Sequence, residues 1–233
     1  MSINTHERVL GGDGLSSLTK RRFDLEPLSQ DVLVSVFDRV ISSGELSELG
    51  QEFLVDCKEL LWLRDAPNVL VASSLEEARD DVGLLLTEVP GRIGYITGGL
   101  EGLHLQILLN GLAATEIETF IIGLEEDSYV ASKGREPLYT TNEKISLWEQ
   151  LAPDKSVLFV IPQRPDFISP NDYYDWITQY LGLFRNEKIV YLGSKDDSPE
   201  ILQAHQRRAA SPNHCLNLSV GNPPLHTTEL LVR

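Results

Sequence analysis

Cysteines and long apolar runs are scarce in this sequence. The 233 residues include two cysteines, Cys57 and Cys215, which lie too far apart for a zinc-ligand pattern or a disulfide framework. There is no run of about 18 apolar residues, the length that a membrane-spanning helix needs. Residues 1–14 are polar and contain glycines, without the apolar core of a signal peptide. We therefore expect a cytoplasmic protein that does not associate with a membrane.

Positive charge is also in short supply. The formal net charge is -15 at pH 7, with 35 acidic residues against 20 lysines and arginines. Proteins that bind nucleic acid need a basic surface, so we expect no nucleic-acid partner, and a tRNA synthetase is disfavoured for the same reason. A phosphate ligand would have to bind in a local pocket of helix ends and a few cations.

Several familiar catalytic patterns are missing. The sequence contains no G-x-S-x-G elbow, which disfavours a serine hydrolase of that type. It contains no G-x-G-x-x-G pattern, which disfavours a dinucleotide-binding protein. The residues suggest no metal-ligand cluster, and we predict none.

What the sequence does contain, from residue 91 onward, is a regular alternation of strands and helices. Apolar, β-branched runs predict strands at 93–96, 117–123, 155–161, 188–193 and 214–220. Amphipathic patterns between them predict helices at 103–114, 142–151, 170–184 and 198–210, with a last helix starting near Thr227. Such alternation predicts an α/β fold with a Rossmann-like, doubly wound, five-stranded parallel sheet.

Residues 1–90 form a different region. Ser29 is placed to cap a helix that ends near Gly44, and a second helix is predicted over residues 45–64. A short strand is suggested at 69–71, and Ser74 with Glu77 has the spacing of a capping box that starts a third helix. We predict a helical N-terminal appendage, residues 1–90, packed outside a nucleotide-binding domain of residues 91–233.

The first strand of the larger domain ends in a glycine turn. Thr97 is followed by Gly98 and Gly99, and a helical pattern then begins, with His104 about one turn along it. A helix that starts after a strand and a glycine turn directs free N–H groups toward an anion. The stretch therefore predicts a phosphate-binding site at the end of this strand.

The same stretch resembles the G-x-F-D-x-x-H-x-G-H signature of the cytidylyltransferase-like nucleotidyltransferases, such as those that act on glycerol 3-phosphate or sugar phosphates. Gly98 matches the first glycine and His104 the first histidine. Leu100 stands at the aromatic position and Glu101 at the aspartate position. The last two signature positions are occupied by Gln106 and Ile107.

Two later segments resemble the same family. After the second strand, Asp127 and Lys133 match an aspartate and a lysine of the family pattern, and Arg135 lies beside the position of its loop arginine. At the start of the last helix, Thr227 and Thr228 match a pair of hydroxyl residues. The resemblance extends over residues 91–233.

This resemblance implies a function. A nucleoside triphosphate, CTP in most of the family, would be attacked at its α-phosphate by a small phosphorylated acceptor, and pyrophosphate would leave. His104 and Lys133 would be the catalytic residues, and Mg²⁺ would accompany the triphosphate. The implied nucleotide-binding residues are Thr97, Gly98, Gly99, Leu100, Glu101, Asp127, Arg135, Thr227 and Thr228. A homodimer is left open.

A second interpretation comes from the departures from the signature. Ile107 replaces a histidine that would donate to the transition state, and Gln106 puts a side chain where the helix should approach phosphate closely. Loss of one such donor typically lowers the rate by about 10²–10³. The alternative is a catalytically degenerate domain that binds a nucleotide or a protein partner.

Overall fold

The structure is a computed structural model that describes residues 28–44, 46–48, 50–52, 54–55, 58, 69–98, 117, 119–132, 134, 136–162, 169–194 and 198–218. The strands are β1 (Leu70–Ala72), β2 (Ile93–Gly98), β3 (Thr119–Glu125), β4 (Val157–Ile161), β5 (Ile189–Ser194) and β6 (Cys215–Leu218). The helices are α1 (Gln30–Ile41), α2 (Leu75–Glu88), α3 (Asp127–Ser132), α4 (Thr141–Leu151), α5 (Pro170–Tyr180) and α6 (Pro199–Arg208). A short 3₁₀ helix, Pro212–His214, precedes β6.

The six strands form one sheet in the order β1-β4-β3-β2-β5-β6, and every neighbouring pair is parallel. The five strands predicted beyond residue 91 all lie in it, so the α/β class and the parallel sheet are confirmed. The predicted strand count of five is corrected to six, because β1 pairs with β4 at one edge. This pairing joins residues far apart in the chain, so the local pattern around residue 70 did not reveal it.

The region before residue 91 therefore contributes to the sheet itself. Leu70, Val71 and Ala72 are all buried, and α2 packs against β1 and β4. The prediction that residues 1–90 only pack outside the sheet is corrected accordingly. The reason is that β1 presents three consecutive apolar residues and α2 has an apolar face that covers them.

Two hydrophobic cores lie on opposite faces of the sheet. Phe120, Ile122 and Leu124 of β3 belong to the core that also includes apolar residues of α1 and α4. Ile121, between them in sequence, belongs to the core that includes residues of α2 and α5. Successive side chains of a strand point to opposite faces, so a strand that is apolar throughout must be covered on both. The sheet is accordingly the middle layer of three.

Helix boundaries follow the capping residues that the sequence predicts. The Ser29 hydroxyl accepts a hydrogen bond from the Val32 N–H at the start of α1, and the Ser74 hydroxyl accepts from Glu77 N–H at the start of α2. The predicted helices 142–151 and 198–210 correspond to α4 and α6. The predicted helix 103–114, the helix near residue 227 and most of the helix 45–64 lie outside the described residues. Of the helices that the structure describes, none has the length and apolar character to cross a bilayer.

Candidate functional site

The order of the strands reverses beside β2. β3 and then β4 lie on one side of β2 in the sheet, and β5 and then β6 lie on its other side. Pairing between β2 and β5 runs from Ile93↔Ile189 to Tyr95↔Tyr191 and ends there, although both strands continue. β2 stays paired with β3 as far as Gly98, and β5 stays paired with β6 as far as Ser194. A crevice between β2 and β5 therefore begins after Tyr95 and Tyr191, at the carboxyl edge of the sheet. Ligands of open α/β sheets bind at such a reversal.

Two tyrosines form the last pair between β2 and β5. The rings of Tyr95 and Tyr191 pack edge to face with centroids 5.4 Å apart, and both side chains are buried. Burial raises the pKa of Tyr95 to about 12, and burial likewise raises the pKa of Tyr191. Both phenols are therefore neutral at physiological pH, and both rings belong to the core on the face of the sheet that α2 and α5 cover.

A glycine brings Thr97 close to the neighbouring strands. Thr97 pairs with Gly123 of β3, and a Cβ added at Gly123 would lie 3.0 Å from Thr97 Cγ2 and 2.8 Å from Phe159 Cζ. Both distances are shorter than ordinary van der Waals contact, so a larger residue at position 123 would require the Phe159 and Thr97 side chains to shift. The Thr97 methyl group therefore packs against Gly123 of β3, at the carboxyl edge.

A buried carboxylate follows on β3. Glu125, the last residue of the strand, is 1% exposed, and one of its carboxylate oxygens accepts a hydrogen bond from the Tyr174 hydroxyl of α5. Burial raises the pKa of Tyr174, and the Glu125 carboxylate raises it further. The phenol therefore keeps its proton and acts as the donor to Glu125.

Asp127 connects the end of β3 to the start of α4. Its backbone N–H donates to Thr141 Oγ1 at 3.1 Å, and its Oδ2 accepts from the Thr141 N–H at 2.8 Å. Its Oδ1 accepts from Lys144 Nζ at 3.2 Å, and the same ammonium donates to the Glu125 carbonyl oxygen at 3.3 Å. Both oxygens of the Asp127 carboxylate thus have partners within the protein.

Three of the site residues predicted from sequence lie in the described part of the chain. Thr97 and Gly98 end β2 beside the crevice, and Asp127 follows β3, the neighbouring strand, so all three are at the carboxyl edge. The others lie outside the described residues: His104, Lys133, Gly99, Leu100, Glu101, Arg135, Thr227 and Thr228. Their positions stay predictions.

Sequence reasoning missed other residues at this edge. The sequence motifs assign no role to Lys144, and they do not mark Glu125 and Tyr174 as a pair. A lysine four residues after the helix cap Thr140, among the apolar residues Ile145, Leu147 and Trp148, is a signal for a buried cation. No comparable local signal marked Glu125, because its burial depends on α5.

The residues described at this edge do not form a metal site. Within the described ranges, no group of three or more histidine, cysteine, aspartate or glutamate side chains is arranged to hold a metal ion. The carboxylate oxygens of Asp127 are bonded to Thr141 and Lys144 instead. These residues do not fit a protein-bound Mg²⁺.

Neither a protein-family model nor a curated protein matches the chain.

Proposed function

We propose that the crevice between the carboxyl ends of β2 and β5 binds a nucleotide, and that the chain is a nucleotidyltransferase. The donor is a nucleoside triphosphate, with CTP expected, and the acceptor is a small phosphorylated molecule. The observation that carries the proposal is the early end of β2–β5 pairing at the reversal of strand order. The strand on one side of this crevice ends in Thr97 and Gly98, the residues with which the resembling motif begins.

The reaction follows from the resemblance. An oxygen of the acceptor phosphate attacks the α-phosphorus, a new P–O bond forms, and the bond to the bridging oxygen breaks. Pyrophosphate leaves with that electron pair. His104 would donate a hydrogen bond to the phosphoryl oxygens, and Lys133 would lie between donor and acceptor phosphates as a positive charge. Their contribution is positioning and charge stabilisation, which is the main requirement of phosphoryl chemistry.

Binding is tested first, by calorimetry of the full chain with CTP and with ATP, each with and without Mg²⁺. Thr97→Val removes a hydroxyl at the crevice while conserving shape, and we expect it to weaken nucleotide binding several-fold, since one hydrogen bond contributes about 0.5–1.5 kcal/mol. The matched control is Thr87→Val, on α2, whose hydroxyl bonds only its own helix at Gly83. If the wild-type chain binds neither nucleotide, the proposal is wrong.

Turnover is tested by pyrophosphate release from CTP with glycerol 3-phosphate or ribose 5-phosphate as probe acceptors. His104→Ala should lower the rate by about 10²–10³. Lys133→Ala should also lower it, whereas Lys155→Ala should not. Lys155 is an exposed lysine in the turn that precedes β4, at the opposite edge of the sheet.

A catalytically degenerate domain that binds a nucleotide or a protein partner is the second candidate, and the acidic end of β3 favours the protein partner. Glu125, Glu126 and Asp127 follow one another at the edge where the triphosphate would bind. Negative charge there opposes a polyanion. Calorimetric binding with no pyrophosphate release supports this candidate. Pyrophosphate release by the double variant Gln106→Gly, Ile107→His would show that the domain had lost only the hydrogen-bond donors of the signature.

A further inference from the structure

Asp127 is the point at which three elements meet. It is the first residue of α3 and follows β3 by two positions, and its reciprocal hydrogen bonds with Thr141 attach it to the first turn of α4. Its second carboxylate oxygen is bonded to Lys144, also on α4. Because its carboxylate and its backbone N–H are all engaged, its side chain already serves a purpose other than ligand binding.

Lys144 is buried to an unusual degree for a lysine. Its side chain is 1% exposed, and its ammonium reaches Asp127 Oδ1 and the carbonyl oxygen of Glu125. Burying an ammonium is costly, and a buried ion pair is often no more stable than apolar residues of similar volume. Stability alone therefore does not explain the pair, but its geometry does, because it fixes the backbone of residues 125–127.

The backbone that this pair fixes lies one strand away from the nucleotide crevice, because β2 stands between β3 and β5. Leu124, directly before Glu125, pairs with Gly98 at the end of β2. A shift of the turn after β3 would therefore be transmitted to the last residues of β2. The hydrogen bonds from the Tyr129 and Val130 N–H groups to the Glu126 carbonyl, which start α3, depend on the same turn.

We propose that Asp127 and Lys144 are positioning residues that hold the turn from β3 into α3 beside the nucleotide crevice, and that Asp127 is not itself a nucleotide ligand. The effect on nucleotide affinity rests on the function proposed above. The effect on the turn does not.

The test uses Asp127→Asn, Lys144→Met and the double variant in the full chain. Asp127→Asn leaves the buried Lys144 ammonium without its charged partner and should lower the free energy of unfolding. Lys144→Met leaves the Asp127 carboxylate, whose side chain is 36% exposed, and should lower it less. The double change removes both charges and should restore most of that stability. If the two residues position the turn, the double variant should recover its free energy of unfolding, but its turn should stay less ordered than in wild type.

Opening of the turn is measured by the hydrogen-exchange rates of the Tyr129 and Val130 amides in the absence of nucleotide. Exchange should accelerate about tenfold or more in all three variants, because the turn opens locally. The dissociation constant for CTP should rise about tenfold in all three variants, since amide exchange and nucleotide affinity depend on the same opening of the turn.

The matched control is Lys188→Met. Its ammonium also bonds two backbone carbonyls, of Leu86 and Val89, but it lies before β5, at the amino edge. It should lower stability and leave both readouts unchanged.

Wild-type exchange rates in the double variant would overturn the proposal, whether or not the protein binds a nucleotide. Affinity that recovers together with stability would overturn it as well. A wild-type chain that binds neither CTP nor ATP refutes the proposed function, and the exchange measurement then decides the positioning role alone. If a single variant does not fold, the double variant, which has no unpaired charge, still gives the deciding comparison.

Discussion

His205 should make the free energy of unfolding depend strongly on pH under mildly acidic conditions. It lies on α6 with its ring 6.3 Å from that of Tyr191. Burial lowers its pKa from 6.5 to about 4, the nearby Arg208 guanidinium lowers it further, and the Asp175 carboxylate opposes the shift. Between these two pH values the unfolded chain carries a proton that the folded protein excludes. The free energy of unfolding therefore falls as the pH drops from 6.5 toward 4, and the loss is complete below that range.

The expected contribution of His205 is about 3 kcal/mol across that interval. His205→Gln removes the titration with little change in volume. Urea unfolding of both proteins between pH 7 and pH 4 measures the difference between their free energies of unfolding. The contributions of the carboxylates are common to both proteins and cancel in this difference. We expect wild type to lose about 3 kcal/mol more than the variant. Parallel curves for the two proteins would contradict this assignment.

Among the helices, α2 obtains its C-terminal cap from a distant part of the chain. Its last turn contains no basic residue, but Lys188, before β5, donates to the carbonyl oxygens of Leu86 at 2.6 Å and Val89 at 2.8 Å. A cation at this end of a helix satisfies carbonyls that have no partner within the helix and interacts favourably with its dipole. Lys188 thereby joins α2 to the start of β5.

Lys188→Met should lower the free energy of unfolding by about 1–3 kcal/mol, because it removes two charge-assisted hydrogen bonds. Chemical denaturation measures the change. Lys155→Met is the comparison at an exposed lysine, where we expect a change within about 0.5 kcal/mol. Equal effects of the two substitutions would mean that the cap contributes nothing.

The ends of the elements show what local sequence can and cannot determine. The starts of α1 and α2 could be predicted, since serine caps act within a single turn. The predicted helix 170–184 ends instead at Tyr180, because Gly182 adopts a positive φ of 73° and the Leu183 N–H bonds back to the Thr178 carbonyl. The apolar pattern continues past the true end because Leu183 is buried without being helical.

Long-range partners explain most of what the sequence could not reveal. The six parallel strands have clear apolar patterns, but nothing local to Leu70 indicates that it pairs with Val157. At the candidate site, Thr97, Gly98 and Asp127 could be assigned to one edge because the carboxyl ends of parallel strands share it. The engagement of Asp127 with Lys144 depends on how α4 packs, and no spacing rule in the sequence gives that contact.

The pairing of β1 with β4 gives a prediction for the whole chain. A fragment of residues 91–233 would lack α1, β1 and α2, and would leave Val157, Leu158 and Phe159 on an unprotected sheet edge. We expect it to aggregate or to unfold without a cooperative transition, because an exposed apolar edge strand is a template for association. Size-exclusion chromatography and urea unfolding measure both properties. A fragment of residues 69–233, which retains β1 and α2, should be more soluble, and a cooperative transition in the shorter fragment would instead support an independent domain.

The order in which the ribosome makes these strands has a consequence for folding in the cell. β1 is synthesised first of the six strands, yet its partner β4 follows only after β2 and β3 have been made. At about 5–20 residues per second, Leu70–Ala72 would wait several seconds for Val157 to be translated. During that time β1 lacks its pairing partner β4, and the apolar face of α2 lacks part of the sheet on which it packs. The nascent chain should therefore be a chaperone client until β4 emerges, and its vulnerable period is set by the speed of translation.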